Sequence, residues 1–117
     1  MNKFSVGIHP TAATETTVFT VPDNQVAIVH MIMLSNHSGN NKTATLWWEH
    51  GHDATHDIYI IDGKTFSLAE LLNLNEIELV MRGGDKIKVE TEAGSDFSVI
   101  VTFDLFPDNN ITNNFNP

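Results

Sequence analysis

The densest concentration of side chains able to do chemistry is His50-Gly51-His52-Asp53-Ala54-Thr55-His56-Asp57. Imidazole nitrogens and carboxylate oxygens are ligands for first-row metals, and residues i and i+2 of an extended strand point the same way, so His50 and His52 would share one side. His56 adds a third nitrogen donor, with Asp53 or Asp57 beside it. A solvated loop, kept polar by its His and Asp residues, accounts for the same run without a metal and is the preferred reading. Elsewhere the chain has no Gly-rich phosphate loop, no nucleophile elbow and no cysteine, so thiol catalysis, thiolate metal sites and a disulfide framework are all excluded for it. Glu76 with Glu78, and Glu90 with Glu92, are i, i+2 neighbours that read as wet strand faces rather than acid–base pairs. His30, alone in an apolar run, reads as a hydrogen-bonded core or interface histidine.

The histidine spacing resembles the first metal motif of the cupin family. His50-x-His52 is followed after three residues by His56, where cupins usually carry Glu, and then by Gly63, behind a strand-like Ile58-Tyr59-Ile60-Ile61. Two features depart from that motif. Ala44 stands where cupins have a glycine, and no histidine follows His56 to act as the ligand from a later strand. If the resemblance held, it would imply a metal-binding protein using His50, His52 and His56.

The elements that must position these residues are strands. At 117 residues, with 41% apolar and 18% charged residues, the chain suits one domain with one core. Gln25 to Leu34 is apolar at both parities, so an extended conformation needs cover on both faces; the even set, Val26, Ile28, Ile32 and Leu34, is assigned to the core. The odd set, with Met31 and Met33, becomes an adaptable surface. Lys42 to Glu49 reads as the return strand of a hairpin, and one of Trp47 and Trp48 must face away from the core. Asp57 to Ile61 reads as a short strand ended by an Asp62-Gly63 turn. Phe66 to Leu74 has the only helical claim, one turn capped by Ser67 with Glu70 three residues on, against an irregular crossing loop. Ile87 and Val89 point inward with Lys86, Lys88, Glu90 and Glu92 outward, and Phe97, Val99, Val101, Phe103 and Leu105 form the cleanest alternation.

These observations predict an all-β chain: an antiparallel β-sandwich, jelly-roll-like or immunoglobulin-like, with seven or eight short strands and at most one helical turn. The domain spans 14–106, preceded by an arm or edge strand over 1–13 and followed by an Asn-rich tail over 107–117. Fifteen acids against six scattered bases give a net charge of −9, which argues against direct nucleic-acid binding. No membrane segment or signal peptide is expected. Asn36-His37-Ser38 and similar triplets read as ordinary polar loops.

From Thr17 to Leu105 the order of elements resembles small β-sandwich proteins of tailed bacteriophage particles, especially those of marine and cyanobacterial phages. The residues that carry this are Val18-Phe19-Thr20-Val21-Pro22-Asp23, Ala27-Ile28-Val29, Leu34-Ser35-Asn36-His37-Ser38-Gly39, Ala44-Thr45-Leu46-Trp47-Trp48, Gly84-Asp85-Lys86-Ile87-Lys88-Val89 and Phe97-Ser98-Val99-Ile100-Val101-Thr102-Phe103. The resemblance implies a non-enzymatic virion component of the capsid decoration, cement, neck or tail type, assembled in the host cytoplasm. Its partners would be other virion proteins and itself, as a homo-oligomer such as a trimer, with no cofactor. Met31, Met33, Trp47, Phe4 and Phe115 are the expected interface residues. A carbohydrate-binding sandwich using Trp47 and the His50 to His56 loop is a competing expectation.

Overall fold

The computed structural model describes residues 2–51 and 57–108. They form nine strands and, among the described residues, no helix: β1 (Asn2–Ile8), β2 (Thr16–Thr20), β3 (Gln25–Asn36), β4 (Lys42–Glu49), β5 (Asp57–Phe66), β6 (Leu71–Leu74), β7 (Leu79–Arg82), β8 (Lys86–Thr91) and β9 (Phe97–Pro107).

Because β6 and β7 pair with the two halves of the same strand, β3, they act as one interrupted strand. The pairing then follows a simple nesting: β1 with β9, β2 with β8, β3 with β6 and β7, β4 with β5, all antiparallel. Rolling this long folded hairpin adds β9 to β3 and β8 to β4. The result is a sheet A of order β1-β9-β3-β6/β7 and a sheet B of order β2-β8-β4-β5. That order is a jelly roll, not an immunoglobulin sandwich.

The core lies between the sheets and includes Val29, Ile32, Leu34, Leu46, Phe66, Met81, Ile87, Val89, Val99 and Val101, all fully enclosed. In β9 the alternation works as the pattern requires, with Phe97, Val99, Val101 and Phe103 buried. In β3 it does not. The register against β9 shifts between Val29 and Met31, so His30 is the extra residue of a β-bulge. A bulge reverses parity. Ala27 and Val29 enter the core before it, Ile32 and Leu34 after it. The even set assigned from the sequence is therefore half right: Val26 and Ile28 lie on the outer face, where Val26 is nonetheless covered.

Two turn readings also change. Asp62-Gly63 does not end a strand; β5 runs through it to Phe66, and the shift between Ala44↔Lys64 and Leu46↔Ile61 makes the pair a bulge. Gly63 takes a φ of 63°, and its N–H donates to the Thr45 hydroxyl at 3.0 Å. At Ser67 the expected carboxylate contact forms, with the Ser67 N–H donating to Glu70 Oε1 at 2.8 Å. No helix follows. Ala69 adopts a φ of 62°, a left-handed position that turns the chain back into β6.

Polar groups close one end of the sandwich. The Asn36 side chain is buried: its Nδ2 donates to the carbonyls of Asn40 (3.1 Å) and Ser67 (3.1 Å), and its Oδ1 accepts the Ser38 N–H at 2.9 Å. This asparagine is a structural hub rather than a surface loop residue. At another corner the buried Asp85 carboxylate accepts the N–H groups of Gly51 (2.8 Å) and Arg82 (3.0 Å). Gly51 there lies so close to Gly84 that a Cβ on it would sit 2.4 Å from the Gly84 carbonyl carbon.

Candidate functional site

Two outer faces remain once the core is filled. On sheet A the outward residues of β3 are Ile28 before the bulge and Met31 and Met33 after it. Cross-strand register places Met33 opposite Ile100 on β9, and Ile28 opposite Val80 on β7. Leu71, opposite Ser35, extends this apolar strip, and Val80 and Leu71 are largely exposed.

One hydrogen-bonded pair interrupts the strip. His30 Nε2 lies 2.7 Å from Asp104 Oδ2, and Asp104 is only 4% exposed. Its second oxygen, Oδ1, has no hydrogen-bond partner among the described residues. The histidine expected from the sequence to be hydrogen-bonded in a core or interface is thus the bulge residue of this face.

Sheet B presents a charged outer face. Lys88 Nζ lies 2.7 Å from Glu15 Oε1 and 3.2 Å from Glu49 Oε1, while Lys86 Nζ is 3.9 Å from Glu49 Oε2. The bond to Glu15 is the main cause that raises the Lys88 pKa above its ordinary value, and Glu49 adds to it. Glu92 accepts the Thr43 N–H at 2.9 Å, which chiefly lowers its pKa. The Ser67 N–H does the same for Glu70, with help from Lys64.

The residues singled out from the sequence fall in different places. Met31 and Met33 share the outer face of sheet A. Phe4 does not join them; it stacks on Phe103 (centroids 5.8 Å apart), which in turn stacks on Phe19 (4.0 Å), at the lateral edge of the core. Trp48 packs against the core, and Trp47 faces outward from sheet B but is only 5% exposed. Tyr59 lies 6.1 Å from it at a tilt of 53°. The ring of His50 stacks on Trp48 at 5.0 Å. His52, His56 and Phe115 lie outside the described residues, and among those described no group of three His, Cys, Asp or Glu side chains gathers as a metal site. Sequence reading missed Ile28, Ile100 and Val80 as outward apolar residues. The signal was present for Ile100, an isoleucine at the polar parity of β9 among Ser98, Thr102 and Asp104.

No family model and no curated protein matches the sequence. The fold is similar to that in a solved structure of Bacillus endospore appendages, which form a novel family of disulfide-linked pili, with a TM-score of 0.52 at 9% identity over 91% of this chain and 85% of that one. Solved structures of infectious bursal disease virus are also similar. The Gx strain gives a TM-score of 0.48 at 11% identity, covering 86% of this chain and 30% of that one. The T13 particle gives 0.47 at 8% identity, covering 97% and 41%. At such identities the likeness is one of fold. The absence of cysteine from this chain separates it from disulfide linkage of the pilus kind.

Proposed function

We propose that this chain is a non-enzymatic structural subunit that works by packing against copies of itself and neighbouring proteins. The observation that carries this reading is the outer face of sheet A, where Ile28, Met31, Met33 and Ile100 form an apolar strip although the core is already complete without them. Methionine is unbranched and adapts to varied partners, which suits such a face. The sandwich of short antiparallel strands is a compact module, and the fold likeness to a pilus structure fits a subunit of an assembly.

In finer terms the resemblance over Thr17 to Leu105 supports a virion component of a tailed bacteriophage, of the capsid decoration, cement, neck or tail accessory type. Its mechanism is burial of apolar area between subunits in a symmetric oligomer such as a trimer.

Light scattering on the eluting protein tests the assembly. The unmodified chain runs as a defined oligomer, and Met33→Glu combined with Ile100→Glu runs as a monomer with a native circular dichroism spectrum. A monodisperse monomer of the unmodified chain at high concentration would overturn the reading. The finer assignment is tested by the gene's neighbours: capsid, portal or tail genes alongside support it, and a metabolic operon refutes it.

A further inference from the structure

The outer face of sheet B holds an open groove of about 400 Å³. Five carboxylates, those of Glu15, Asp57, Asp62, Glu90 and Glu92, line it. Lys88 engages Glu15 and Lys42 approaches Glu92 to 3.7 Å, but no cation lies within ion-pair distance of Asp57, Asp62 or Glu90 among the described residues. The groove is therefore rich in acceptors and hostile to anions.

One more lining residue carries the opposite demand. Trp47, on the outward parity of β4, is 5% exposed, and its Nε1 has no hydrogen-bond partner among the described residues. Buried polar atoms without partners are uncommon and point to a group that is missing from the site. The indole N–H can only donate, so it asks for an acceptor. An ammonium or guanidinium ligand would satisfy the carboxylates but offers no acceptor to Trp47. A phosphate or carboxylate would offer acceptors but meets the acidic rim. Hydroxyl groups do both, since each donates one bond and accepts others. Tyr59 completes the chemistry: the residue is 56% exposed, its ring is tilted against Trp47, and an aromatic ring offers an apolar face to stack on.

We propose that this groove binds a neutral glycan, with a pyranose ring stacked on Tyr59, its hydroxyls donating to Asp62 and Glu90 and one of them accepting from the Trp47 indole N–H. The sequence pointed to Trp47 as the stacking residue. Its burial makes it the support beneath Tyr59 instead. The site is on the sheet opposite the apolar strip, so it stands or falls separately from self-association.

A glycan array probed with the full chain, followed by calorimetry on the best neutral oligosaccharide, tests the proposal. Binding is expected for neutral hexose oligosaccharides over their sialylated or sulfated counterparts, with little dependence on salt. Tyr59→Ala should weaken it about tenfold or more, the usual size for loss of a central aromatic contact. Tyr59 is exposed, so this variant should keep the native circular dichroism spectrum, and Glu90→Gln provides a second variant that leaves the fold intact and weakens binding. No glycan binding, a preference for anionic glycans, unchanged affinity in Tyr59→Ala, or salt-sensitive binding of polylysine in place of glycans would each overturn the proposal.

Discussion

The two outer faces of this sandwich are made by the same alternation and yet have opposite chemistry. Sheet A turns Ile28, Met31, Met33, Ile100 and Val80 outward around one His30–Asp104 pair. Sheet B turns out Lys86, Lys88 and Glu49, bound into a ladder with Glu15, and Glu90 beside them. Both sheets fill the shared core with the same kinds of branched and aromatic side chains, so the core does not explain the difference. An outward position can change without disturbing the packing beneath it. What stands there reflects what the face meets, which is water for most of sheet B and, on the function proposed above, an apolar neighbour for sheet A.

That contrast can be broken most sharply at the polar pair set into the apolar face. His30→Ala leaves a nearly enclosed Asp104 carboxylate without its partner, and the loss in urea unfolding free energy is expected to be about 3 kcal/mol. Replacing both, His30→Phe with Asp104→Leu, removes the buried charge and restores most of that stability. If the single change cost nothing, Asp104 would have to be far better solvated than its burial indicates.

Gly51→Ala strikes the seam where the two sheets meet. Its Cβ would force the Gly84 backbone aside and disturb both Asp85 hydrogen bonds, with an expected loss of about 2 kcal/mol read from the thermal midpoint. On the charged face, Lys88→Ala should cost about 1 kcal/mol or less, because Glu15 stays half in water and surface ion pairs contribute little. A penalty larger than that of His30→Ala would reverse the order of the two faces.

The smallest effect is in the pH profile. Glu70 and Glu92 have pKa values lowered from 4.5 by backbone N–H bonds, so their contribution is full above that value and is lost as pH falls through their lowered folded values. Lys88 has a pKa raised from 10.5, so its contribution is full below that value and fades as pH rises through the higher folded one. Melting temperatures taken across both ranges should slope in these directions. Lys88→Ala should flatten the alkaline slope while leaving the acid one unchanged.

Strands with one wet face were readable from the residues alone. In β8 and β9 apolar and polar positions alternate, and each inward residue named from the pattern is buried except Leu105, which is partly buried against the core. Where both parities are apolar, as in β3, nothing local marks the bulge at His30, because either register buries good hydrophobes; pairing with β9 decides it. Asp62-Gly63 suits a hairpin and a bulge equally, since both use the positive φ of Gly63, and the length of β4 settles which one forms. The Ser67–Glu70 contact was legible, but its role in ending a turn rather than starting a helix depends on β3 offering an edge to Leu71–Leu74. Of the candidate surfaces, Met31 and Met33 were visible in the sequence. The sheet B groove was not, because its lining comes from three separate strands and the loops beside them.

The nested pairing has a consequence for the order of events in folding. Ile8 is paired with Val99 and Asn2 with Leu105, so the first strand of the chain has no neighbour until the last has been made. The β4–β5 pair, in contrast, joins segments close in sequence and can form early. Closure outward from this inner hairpin is the expected order, with β1 and β2 paired only after β9 and β8 have been made. Contacts of such wide separation slow the search for the native state and place these folds among the slower small domains. Throughout that wait, the apolar residues of β3 are exposed on both sides, which makes this segment the one a chaperone or an early subunit contact would best protect.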